Sequence, residues 1–63
     1  MSEETKQSML RGINTAMKEL LAVTSAAKMA NPLAAEVPII QKIDEIVKEL
    51  AKSIPAISKL QGL

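Results

Sequence analysis

Three groups of residues in this chain have types and spacings suited to chemistry. Ser25 and Lys28 stand three positions apart, the spacing at which a helix sets a serine nucleophile beside a lysine base. Acyl transfer by such a pair also needs oxyanion-hole donors and a substrate pocket. A chain of 63 residues has little room for either. Asp44, Glu45 and Glu49 form a carboxylate cluster. Calcium asks for about six to eight oxygens wrapped by a turn, and no D-x-D-x-D-G loop is present. Carboxylates that share acid–base work need burial to keep one protonated and one ionised. These three stand among Lys42, Lys48 and Lys52 instead, as a solvated face would. The third group is basic: Arg11, Lys18 and Lys28 in the first half, Lys48, Lys52 and Lys59 in the second. A net charge of +1 and the absence of aromatic residues argue against strong nucleic-acid binding. Membrane-surface binding lacks both basic enrichment and a Trp or Phe anchor.

Other ligand chemistry is missing from the alphabet. There is no histidine and no cysteine, hence no disulfide framework and none of the usual zinc, copper or iron ligands. The two glycines, Gly12 and Gly62, make no phosphate-cradling loop. The expectation is a protein that is not an enzyme, with no metal, cofactor or small-molecule substrate.

The elements that position these side chains follow from apolar spacing. Met9, Ile13, Ala16, Leu20, Val23, Ala27 and Ala30 recur at alternating steps of four and three. Ile39, Ile43, Ile46, Leu50, Ser53, Ile57 and Leu60 repeat those steps. Asn31-Pro32 and Val37-Pro38 separate the two stripes. The pattern predicts an all-α chain, one antiparallel helical hairpin over residues 1–63, with helices at 3–30 and 38–61 and a connection at 31–37. Ser2 is placed to cap the first helix, with Glu3 and Glu4 at its positive end and Lys28 near its negative end. Asn31 is expected in the left-handed conformation, with Pro32 ending the ladder. Pro38 suits the first position of the second helix, and Gly62 its stop. Pro55 removes one backbone bond, so a kink or break is expected there, a kinked and roughly continuous helix being preferred. Gly12 is read either as a simple loss of helix propensity or as a point of close backbone approach.

On a heptad, Ile13, Leu20, Ala27, Ile43, Leu50 and Ile57 take a, and Met9, Ala16, Val23, Ala30, Ile39, Ile46, Ser53 and Leu60 take d. Folded antiparallel, these positions pair in layers from Ala30–Ile39 through Leu20–Leu50 to Met9–Leu60. The expected hairpin core is therefore Met9, Ile13, Ala16, Leu20, Val23, Ala27, Ile39, Ile43, Ile46, Leu50, Ile57 and Leu60. Leu10, Met17 and Thr24 fall at e in the first helix and Ile40, Val47 and Ile54 in the second, with Leu21 and Ala51 widening the faces. The seven apolar residues among them, all but Thr24, are the expected interface to another copy or another protein, because exposed aliphatics of this kind mark association surfaces.

A core this small supplies only roughly 3–5 kcal/mol, so oligomerisation is the expected staple. Two hairpins closing a two-fold four-helix bundle is the favoured assembly. The expected function is a self-associating interaction module, a small regulator or inhibitor of a larger protein. A structural scaffold component, or a weak nucleic-acid or membrane-surface binder, is the alternative. The opening Met1-Ser2-Glu3-Glu4-Thr5-Lys6 lacks the positive start and apolar run of a secretory signal. Lys28, Glu36 and Lys42 interrupt every long apolar run. A cytoplasmic protein is expected.

Overall fold

A computed structural model describes residues 2–60. It contains α1 (Glu3–Ala30), a 3-10 turn (Pro32–Glu36) and α2 (Pro38–Ser58), with no strand among the described residues. The Ser2 hydroxyl accepts from the Thr5 N–H at 3.1 Å, satisfying one of the free donors of the first turn. Glu3 and Glu4 lie in that turn and Lys28 lies in the last one, each at the favourable end of the helix dipole.

Asn31 behaves differently from its expected left-handed cap. Its backbone is extended, at φ −153° and ψ 112°, because the following proline crowds any helical conformation at the residue before it. Its N–H still closes α1 on the Ala27 carbonyl at 3.0 Å. Its side chain serves the next element, accepting from the Leu33 N–H at 3.0 Å. Val37 is extended for the same reason and starts α2, its carbonyl taking the N–H groups of Ile40 and Gln41. Two X-Pro pairs thus set the two corners of the reversal.

α2 continues through Pro55 without a break. The Ser53 hydroxyl donates to the Leu50 carbonyl at 2.6 Å, within the same continuous helix. The helix ends at Ser58, short of the expected 61, after the proline has already removed the bond to Ala51. Beyond it the chain tightens, with the Leu60 N–H donating to the Ile57 carbonyl. The expected end at Gln61 and the stop at Gly62 lie outside the described residues.

α1 and α2 pack along each other. The seam between them is shifted from the expected one. Among the described residues Thr24, Ile40 and Val47 are buried, and Leu10, Ile13, Met17, Leu20, Ala27, Ile43, Leu50, Ile54 and Ile57 are half-buried around them; of the d lines, Ala16, Ser53 and Leu60 are half-buried as well. The hairpin therefore closes on its a and e lines. Met9, Val23, Ile39 and Ile46, assigned to the core by spacing, are exposed. Ile40 and Val47, assigned to an outer interface, fill the hairpin itself. Thr24 is only 2% exposed; its hydroxyl donates to the Leu21 carbonyl at 3.2 Å, so no polar atom is stranded there.

The shape is long and thin, 46 × 15 × 12 Å, with a radius of gyration of 14.6 Å; compact domains of this length have about 11 Å. Gly12 is on an exposed turn of α1, and an added Cβ there meets nothing within 4 Å. No backbone of the hairpin itself approaches Gly12, so within the hairpin only its propensity cost remains. Gly12→Ala should stabilise the chain by about 1 kcal/mol, raising the melting temperature by roughly 4–8 °C. Circular dichroism melts measure this, and an unchanged or lower value would mean that Gly12 has a contact outside the hairpin.

Candidate functional site

The residues suited to catalysis are not brought together. Ser25 is exposed, and Lys28 Nζ turns away across the seam to Asp44 Oδ2 at 2.9 Å. A lysine base must be neutral and aimed at its nucleophile, whereas this one donates to a carboxylate. The acidic cluster disperses around α2: Asp44 faces Lys28, Glu45 approaches Lys42 at 3.8 Å, and Glu49 is exposed. No group of three metal-ligating side chains exists among the described residues. A depression beside Glu3, Glu4, Gln7, Ser8 and Arg11 is open to solvent and lined by exposed side chains. Among the described residues no helix is long and apolar enough to cross a membrane.

The Lys28–Asp44 pair has a geometric consequence. Both residues take heptad position b. In an antiparallel pair, like positions flank the same side of the seam, because reversing one helix mirrors its wheel. The b lines therefore lie together on one side, and the d lines lie together on the other. The b side carries Asn14, Leu21 and Lys28 against Asp44, Ala51 and Ser58, a mixed surface. The d side carries Met9, Ala16, Val23 and Ala30 against Ile39, Ile46, Ser53 and Leu60. Ile39 is 62% exposed and Val23 is 54% exposed. Only side chains at g break this apolar face at its edges: Glu19 on α1, Lys42 and Glu49 on α2.

No family model, curated protein or solved structure matches the chain.

The uncovered d face is thus the candidate site, and it differs from the interface that spacing suggested. Of that set, Ile40 and Val47 are inside the hairpin, Leu10, Met17 and Ile54 are half-buried beside them, and Leu21 and Ala51 are exposed on the b side. Lys6 does not stand out in the sequence as a seam residue, and Thr24 falls on the e line but outside both the expected core and the expected interface. Lys6 takes position a one heptad before Ile13; its side chain is only 16% exposed. Its ammonium reaches the Leu60 carbonyl at 3.4 Å, just past the end of α2, where a cation is favoured. Extending the a line through a polar residue reaches Lys6, one heptad before Ile13, whereas Thr24 already follows Leu10 and Met17 on the e line and only its burial is unmarked.

Val47→Asp should cost far more helical signal in far-ultraviolet circular dichroism than Ile39→Asp, since only the former places a charge inside the hairpin. Equal losses would overturn the assignment of the seam.

Proposed function

We propose that this protein is a non-enzymatic interaction module: a helical hairpin that self-associates into a four-helix bundle and acts in the cytoplasm as a small regulator of a larger protein. The observation that carries this reading is the d face. Large aliphatics left on one side of a folded hairpin forgo part of the roughly 1.5–3 kcal/mol that full burial of each would supply. Contiguous apolar surface with a charged rim is the usual form of a protein contact. The dispersal of Ser25, Lys28, Asp44, Glu45 and Glu49 supports a binding function over a catalytic one. The lack of cysteine and of aromatic residues adds weight, because it leaves association as the means of enlarging the core.

Regulation by such a module has a simple physical form. The face that closes the bundle is also the face that a partner helix would occupy, by laying an amphipathic stripe between the two d lines. Self-association and partner binding then compete, and the concentration of free hairpin sets the outcome.

Sedimentation equilibrium at micromolar concentrations tests the first half of the proposal. The wild-type chain should fit a dimer, and Val23→Glu with Ile39→Glu should give a monomer that remains helical. A wild-type monomer throughout would overturn the self-association. For the second half, proteins retained on immobilised wild-type chain should be lost with the double variant; retention that ignores the d-face charges would overturn regulation through this surface.

A further inference from the structure

We propose that the occupant of the d face is a second copy seated with its turn at the opposite end, across a two-fold axis through the Val23–Ile46 layer, and keyed by reciprocal Lys42–Glu49 pairs. This rests on the self-association proposed above and specifies its geometry.

A rod has surface to cover, and its own pattern points to a second copy. The chain exposes 4654 Å², against about 4,000 Å² for a compact monomer of 6.8 kDa by the usual size scaling. The excess, roughly 650 Å², is the extra surface of a rod, and laying one long face on an equally long partner removes surface on the ~800 Å² scale of a standard interface. A copy of the same hairpin offers a matching face of the same length and width.

Rim charge chooses between the two ways of laying face on face. With both turns at the same end, α1 of one copy runs beside α2 of the other, level with its own layers. Leu20 and Leu50 share a layer, so Glu19 then comes beside Glu49 of the second copy, and symmetry repeats that acid–acid contact on the other rim. Lys42 falls beside Ala26 and gains nothing. With the turns at opposite ends, α2 runs antiparallel to α2 of the second copy. Centring the axis on Ile46 puts Lys42 beside Glu49 of the second copy, and symmetry makes the pair twice. Opposite charges on an interface rim fix register and exclude the like-charged alternative. Lys42 is open to this exchange, since its approach to Glu45 is a loose, exposed 3.8 Å.

The apolar lines agree with that axis. On α2, Ile46 meets itself and Ile39 meets Ser53 of the second copy, large against small. The Ser53 hydroxyl already donates to Leu50, so an isoleucine laid over it strands no donor. On α1, Val23 meets itself and Ala16 meets Ala30. Val23 and Ile46 share a layer within one hairpin, so a single axis serves both helices.

Charge exchange tests this by sign. Glu49→Lys and Lys42→Glu should each weaken the dimer roughly tenfold at low salt, as an attractive rim pair becomes repulsive on both sides. The double exchange should restore it, with helicity unchanged throughout by circular dichroism. In the same-end arrangement Glu49→Lys would face Glu19 and tighten the dimer; that result overturns the proposal. So does a dimer indifferent to all three variants, while leaving self-association itself intact. A wild-type monomer overturns both. An independent readout is Ile46→Cys, the only thiol in the chain. At the axis two such thiols come within disulfide reach, which requires Cα atoms less than about 7 Å apart. Oxidised glutathione should give a covalent dimer, and a purely monomeric product counts against the axis.

Discussion

A helix can press only one strip of its surface against a single neighbour. Each helix here carries three apolar lines, d, a and e, spread over more than a quarter of its circumference. Two lines per helix can meet in the seam; the third must stay outside. The hairpin resolves this by closing on a and e, around Thr24, Ile40 and Val47. Everything else follows. The d lines of both helices are left on one side, the b lines on the other, and the Lys28–Asp44 pair joins the b lines at part-exposed positions. Its energetic weight is small, as for most such pairs, so it marks the side of the seam more than it holds the seam shut.

The reversal is fixed by a separate device. Asn31 and Val37 each precede a proline and each adopt an extended backbone. Between them the 3-10 turn occupies five residues, with Asn31 closing its start through Leu33 and the Val37 N–H closing its end on the Ala34 carbonyl. The corner therefore depends on backbone stereochemistry and local hydrogen bonds, with no buried side chain in the turn. A chain with so small a core gains from that, because the geometry of the turn does not draw on the apolar residues of the seam.

Much of the architecture is legible from local chemistry. The Ser2 cap, the Asn31-Pro32 stop and the Val37-Pro38 start are written in residues whose preferences act within one turn. The choice of seam is not, because Ile39 and Ile40 are equally apolar and spacing accepts either line. Only packing two real helices decides which one turns inward. Asn31 departs from its local preference for a related reason. Its own tolerance of the left-handed region is real, but the proline after it decides. The d face was visible in the sequence as a stripe and invisible as a surface, since burial was assigned to it by default. Lys6 escaped notice because a charged residue interrupts an apolar pattern, although a lysine stem packs well at the end of a seam while its ammonium stays at the margin.

The contact between Lys6 and the Leu60 carbonyl joins residues 54 apart in sequence, whereas Asn31, Leu33 and Val37 arrange the corner within a few positions. Loop closure is easiest for short spans. The hairpin should therefore zip upward from the 3-10 turn, layer by layer, with each closed layer shortening the loop that the next must close. Lys6 is then the last latch to engage and the first to release. The two ends of this rod differ in kind: one is set by its backbone, the other by side-chain contacts, with the Lys6 ammonium outermost among the described ones. Amide protons of the first turns of α1 and the last turns of α2 should exchange together, as one opening unit.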